Sequence, residues 1–159
     1  MKPTLRAGIV LGLAAIVWMF IFGFAGWYKD SATAVIWYVV ILIQLGVLAW
    51  GLTLTKAEGK RYGGQLMAGT LMSVYGGIII IFGSLLFTTV VFKDSIDFQK
   101  EQAAERLAQF GMSTEQIQVA VDSSPMLTPA GNAVAGLIGT VITGFVLSLI
   151  LAAFIRHKD

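Results

Sequence analysis

Asp94, Asp97, Glu101 and Glu105 are the densest group of ionisable side chains in this 159-residue chain. Residues four apart share a face of a helix, so Asp97, Glu101 and Glu105 would stand in one row. Carboxylate oxygens gathered in that way suit Ca²⁺ or Mg²⁺. Lys100 and Arg106 are interleaved with them, however, and an acidic row broken by cations is more simply a solvated face; neither a metal nor a cofactor is expected. Other reactive chemistry is sparse. The absence of cysteine removes thiolate nucleophiles, disulfides and sulfur-ligated metals. The single histidine, His157, belongs to the terminal run RHKD and reads as a solvated residue, neither ligand nor base. No phosphate-cradling loop, H-E-x-x-H or nucleophile elbow occurs. With no general acid–base pair in view, no catalytic residue is assigned and the chain is read as non-enzymatic.

The elements that would position any such group are set by apolarity. Hydrophobic residues make up 57% of the chain, charged residues only 13%, and the mean hydropathy is +0.81. A soluble domain carries about 25% charged residues, so this composition belongs to the membrane class. A net charge of +2, spread over segment boundaries, gives no footprint for nucleic acid. A bilayer core is crossed by about 20 helical residues, and four stretches meet that length, at about 5–28, 32–54, 65–92 and 129–155. The expected fold is therefore all-α: one polytopic domain, residues 1–159, of four transmembrane helices, with the lipid bilayer as its first partner. Ala32-Thr33-Ala34 has the form of a signal-peptidase site. A signal h-region runs only about 7–15 residues, and Lys29-Asp30 intervenes, so the first stretch is read as an uncleaved span. It contains a GxxxG, Gly8 and Gly12, a close-packing pattern, and ends in Trp27 and Tyr28, suited to an interfacial belt. Ser31 is placed to cap the second span, whose one strongly polar interior residue, Gln44, is expected to hydrogen-bond to another helix.

The third span holds a seam of small residues, Gly69, Ser73, Gly76, Gly77, Gly83 and Ser84, that lets a neighbouring backbone approach closely. Leu71, Ile78, Ile79, Leu85 and Leu86, on the opposite side, suit lipid or looser contacts. The fourth span begins at Pro129 behind a capping Thr128 and carries two ridges, Gly131–Ala135–Gly139–Thr143 and Gly136–Thr140–Gly144. It is the expected partner of the third-span seam.

Between these spans, about residues 94–124, the pattern is a helical hairpin. Residues 93–128 hold three cations against six carboxylates. Ile96, Ala103, Leu107 and Phe110 are expected along one side of its first helix, which Gly111 ends. Ser113 and Gln116 form a capping box for a second, short helix carrying Ile117, Ala120 and Val121. A connection this long and this organised is often functional. The residues expected to meet a partner are Glu101, Glu105, Leu107, Phe110, Ile117 and Val121.

Seven of the eleven Lys and Arg residues lie in the N-terminus, the loop between the second and third spans, and the C-terminus. Positive charge in short loops marks the cytoplasmic side, so both termini are expected there. The turn EGKRYGG, the span start QLMAGTLMSVYGG, the segment end FGMSTEQIQ and a proline-led fourth span together resemble a small bacterial four-helix membrane family, domain of unknown function 4199. The likeness covers the C-terminal two-thirds best; the first two spans match it in hydropathy. It implies an integral inner-membrane protein with no assigned activity and supplies no catalytic residues. Two functions then fit the chain: a structural or partner-docking membrane subunit that uses its acidic extracytoplasmic hairpin, or a small transporter or channel subunit acting as an oligomer through its glycine faces; its partners beyond lipid would be another protein or a second copy of itself. A polar cavity around Gln44, Ser73 and Thr140 would favour transport. A dry bundle with an exposed apolar strip on the hairpin would favour docking.

Overall fold

The computed structural model describes residues 2–30 and 32–155, and the expected cap at Ser31 and the terminal Arg156, His157 and Lys158 lie outside them. The chain is all-helical across these residues, and four of its helices are long and apolar enough to cross a membrane. They are α1 (Pro3–Phe24), α2 (Val39–Lys56), α3 (Tyr62–Leu86) and α6 (Pro129–Ile155), with α4 (Ser95–Gln109) and α5 (Thr114–Asp122) forming the hairpin. Helices are the expected solution, because lipid offers no partners for backbone N–H and C=O groups.

The ends of the first two spans differ from expectation. α1 stops at Phe24, not Tyr28, because Gly26 adopts a left-handed φ of +73° and turns the chain into a short 3₁₀ segment, Trp27–Lys29. The next turn is tied down locally. Asp30 Oδ1 accepts a bond from the Ala32 N–H at 2.9 Å, and the Thr33 hydroxyl donates to the Trp27 carbonyl at 2.8 Å. A 3₁₀ segment, Ala34–Tyr38, precedes α2, so regular helix begins seven residues later than position 32. At the far end of α3 the hydroxyls of Thr88 and Thr89 donate back to the carbonyls of Ser84 and Leu85. There the helix widens into a π-turn, Phe87–Val91, closed by Phe92 N–H to Phe87 O at 2.7 Å.

α3 is the central helix, and the pairings along it give the register. On one face it runs parallel to α1: Gly8 lies against Met72 and Tyr75, Gly12 against Gly76 and Ile79, and Ile16 against Gly83. On another it runs antiparallel to α6, with Gly69 meeting Ser148, Ser73 meeting Gly144, and Gly77 meeting Leu137. α2 packs antiparallel to both α1 and α3, through Gly51 against Ala7 and Met72. The small residues therefore form two seams on α3, not one. Ile79, expected on the side of lipid or looser contacts, instead packs closely into the notch left by Gly12; Leu71, Ile78 and Leu86 are exposed, as a lipid-facing side requires, and Leu85 is half-buried. Ala7, Leu48, Leu52, Ala68 and Met72 make the buried core at the α2–α3 turn end of the bundle.

Candidate functional site

The hairpin is fixed to the bundle by polar bonds around Asp94. Tyr28 Oη donates to Asp94 Oδ1 at 3.0 Å, and Lys29 Nζ lies 3.3 Å from Asp94 Oδ2. Gln102 Nε2 donates to the Tyr28 carbonyl at 3.2 Å, and Asn132 Nδ2, at the start of α6, donates to Gln99 Oε1 at 2.8 Å. Below them Tyr28, Phe87, Phe92 and Phe98 meet in edge and tilted ring contacts 4.5–6.2 Å between centroids. Such pairs add roughly 0.5–1.5 kcal/mol each beyond burial. The charges respond to this geometry. The hydrogen bond to Asp94 raises Lys29 above the ordinary lysine range. Slight desolvation of Asp94 acts upward but is outweighed by the bonds from Tyr28 and Lys29, which hold it below the ordinary carboxylate range. Partial burial, then the neighbouring Asp94, raises the Tyr28 phenol.

Beyond this mount the two helices close on each other. Gly111, at φ +78°, ends α4, and the Ser113–Gln116 capping box forms with both reciprocal bonds, at 3.0 and 3.3 Å. The six residues expected to meet a partner divide. Val121 is buried, Leu107 and Ile117 are half-buried, and Glu101 and Glu105 are exposed. Phe110 follows the last residue of α4 and is 83% exposed, so it leaves the side shared by Ile96, Ala103 and Leu107 and projects outward. Val119 and Met126, not expected from sequence, are also well exposed. Val119 was legible in principle, since it lies about 200° around α5 from Val121 at 100° per residue. Asp94 is committed to Tyr28 and Lys29, and no three of the carboxylates gather as a metal site among the described residues.

The nine residues expected at helix contacts also divide. Gly69, Ser73, Gly76, Gly77, Gly83 and Gly144 sit against side chains of neighbouring helices. A Cβ at Gly76 would lie 2.9 Å from Leu11 Cδ2, and one at Gly144 would clash with Ser73. Gly131 instead abuts the Pro125 carbonyl within its own turn. Gly136 has only Ile80 Cγ2 nearby, at 3.6 Å, and a Cβ at Gly139 would meet nothing within 4 Å. These last two border a cleft of about 280 Å³ between α1, α2 and α6, floored by Ile80 and lined also by Met19, Trp37, Tyr38, Gln44, Thr140 and Thr143. Gln44, 5% exposed, donates its Nε2 to the Thr140 carbonyl at 2.7 Å and to Ser73 Oγ at 3.4 Å, which is the interhelical bond expected of it. Ser73 is fully buried and stands outside the cleft.

A second polar cluster escaped the sequence reading. Gln65 is completely buried, accepting from Thr55 Oγ1 at 2.5 Å and donating to the Leu52 carbonyl at 3.2 Å. Nothing in its spacing announces this role; only the tight α2–α3 turn brings Thr55 within reach. No curated protein and no solved structure matches the chain. One family model does, over residues 6–157, and so takes in the first two spans as well as the last two. Four spans, a capped hairpin and that match across nearly the whole chain place it in the family described as Protein of unknown function (DUF4199).

Proposed function

We propose that the protein is a non-enzymatic, multi-pass subunit of the bacterial inner membrane, with cytoplasmic termini, that presents its acidic hairpin outside the membrane as a docking element for a protein partner. The observation that carries this reading is the contrast within the hairpin. Its base is fixed by Asp94, Gln99 and Gln102, while Phe110 and Val119 stand exposed on the same hairpin as the exposed Glu101 and Glu105. A rigid mount lowers the ordering cost of binding, and an exposed aromatic is the residue type that most often anchors an interface. A transporter or channel subunit is less well supported, because the cleft beside Gln44 has no charged lining and Ser73 is closed off from it.

The test replaces Phe110 and Val119 by serine together, followed by crosslinking in native membranes. Both side chains are exposed, so folding should be unaffected. The expected result is loss of a crosslinked partner with an unchanged melting temperature in detergent. Undiminished crosslinking, or none in the parent protein, would remove the docking reading.

A further inference from the structure

The cleft between α2 and α6 holds two polar atoms that the fold leaves unused. The atom of the Gln44 amide facing Thr140 lies 2.7 Å from a carbonyl oxygen, so it must be the donor Nε2, and the free atom is the acceptor Oε1. Oε1 has no partner among the described residues. It is also absent from the sealed, unpaired polar atoms (Trp18 Nε1, Ser95 Oγ and Ser148 Oγ), so it is reached from the adjoining space. Thr143 shares that lining, and its hydroxyl is likewise unpaired, whereas the Thr140 hydroxyl donates to its own helix at Gly136 O, 2.8 Å away. In a membrane helix a threonine hydroxyl ordinarily bonds back in that way. An unpaired acceptor in an apolar medium costs free energy until something donates to it.

The rest of the lining restricts what that donor can be. No charged residue borders the cleft, so an ionised group would enter without compensation. Met19, Val40, Ile41 and Ile80 supply apolar walls, and Trp37 and Tyr38 supply aromatic ones. A volume of about 280 Å³ lies at the lower end of small-ligand pockets, which start at about 300 Å³. It holds one ring or a short length of chain, not a whole phospholipid. Gly139 keeps the α6 side open, since no atom lies within 4 Å of where its Cβ would be. We infer that this cleft binds an uncharged, membrane-dissolved alcohol or phenol, whose hydroxyl donates to Gln44 Oε1 and whose apolar body lies against Ile80, Trp37 and Gly139.

The inference is independent of the hairpin reading and is tested without it. The full-length protein in phosphatidylcholine nanodiscs is photolabelled with a diazirine-bearing long-chain alcohol or a diazirine-bearing alkylphenol. Controls are the matching methyl ethers and the matching long-chain carboxylate. Peptides are then mapped by mass spectrometry, and the two hydroxyl arms distinguish an aliphatic from an aromatic ligand. The expected result is labelling confined to the cleft lining, residues 15–19, 37–44, 80 and 135–143, by at least one hydroxyl probe, with the ether and the carboxylate weaker. Gly139→Leu should lower that labelling at least about tenfold by filling the cleft. Thr143→Val, which breaks no bond within the protein, should weaken labelling by hydroxyl and ether probes alike, about threefold, the ratio one intramembrane hydrogen bond supplies, and leave the hydroxyl-over-ether preference, which Gln44 Oε1 sets, in place. Equal labelling by hydroxyl and ether probes in the parent protein would overturn the inference, leaving a crevice for lipid tails. So would parent-like labelling of Gly139→Leu, and the Thr143→Val comparison stands even if that variant does not fold.

Discussion

Gly46 and Gly144 are both interior glycines of membrane-spanning helices, but only Gly144 belongs to a ridge of small residues. Their surroundings differ accordingly. A methyl at Gly144 would run into Ser73 and the Gln44 amide, while one at Gly46 would meet nothing within 4 Å. Overpacking costs about 1–3 kcal/mol, whereas relieving glycine of its backbone freedom in a helix gains up to about 1 kcal/mol. Gly144→Ala should therefore lower the detergent melting temperature, and Gly46→Ala should leave it unchanged or raise it; equal losses at both would show that the α3–α6 contact is misplaced. The same distinction explains what was legible at this scale. Small residues announce that close approach occurs somewhere on α3 and α6. They do not say which copy of the pattern is used, because Gly139 repeats the spacing of Gly144 yet faces the cleft. That Gln44 bonds to another helix was legible because a lone amide in an apolar span has few alternatives, whereas its partner, the Thr140 carbonyl, was not. The Gln65–Thr55 pair was not, because Gln65 sits near a span end where water would serve equally well.

At the scale of elements, the hairpin was readable from local signals and its attachment was not. Gly111 and the Ser113–Gln116 box act within a few residues, so they can be seen in sequence. The Tyr28–Lys29–Asp94 contact joins positions about 65 apart, and only the parallel course of α1 and α3 brings them together. That contact should make the mount pH-dependent. Asp94 has its pKa depressed in the folded protein, so its contribution is present above the ordinary carboxylate pKa and is lost as pH falls through the folded value, below about pH 4. Lys29 has its pKa raised, so its contribution is complete below the ordinary lysine pKa and is lost as pH rises through the folded value, above about pH 10. A dye on Gln109→Cys should show fluorescence anisotropy that is flat from about pH 5 to 9 and declines on both sides. Adding Asp94→Asn should lower the plateau and abolish the acid-side decline. A parent protein whose anisotropy does not change below pH 4 would show that Asp94 does not hold the hairpin.

At the scale of the whole molecule, the four-span layout could be read because hydropathy needs no partner: an uncharged stretch of this length declares itself in isolation. The order in which the spans pack is another matter, since lipid-facing and helix-facing residues are equally apolar. The structure supplies that order. α1 and α3 run parallel, α2 and α6 run parallel to each other and opposite to them, and α4–α5 stands with the α1–α2 turn at one end. The α2–α3 turn, with Lys56, Lys60 and Arg61, is at the other end. The proposed orientation rests on charge: positive residues of short loops stay on the cytoplasmic side, and on that reading the hairpin lies outside. The chain has no cysteine, so single cysteines report sidedness without a background. Asp30→Cys and Gln109→Cys should react with a membrane-impermeant maleimide added to intact spheroplasts, and Ala57→Cys, exposed on the opposite turn, should react only after the membrane is opened. Labelling of Ala57→Cys alone would invert the orientation and move the hairpin to the cytoplasm, where its partner would have to be sought. Labelling of all three from outside would contradict the parallel pairing of α1 with α3, because that pairing requires the α1–α2 and α2–α3 turns to lie on opposite faces of the bilayer.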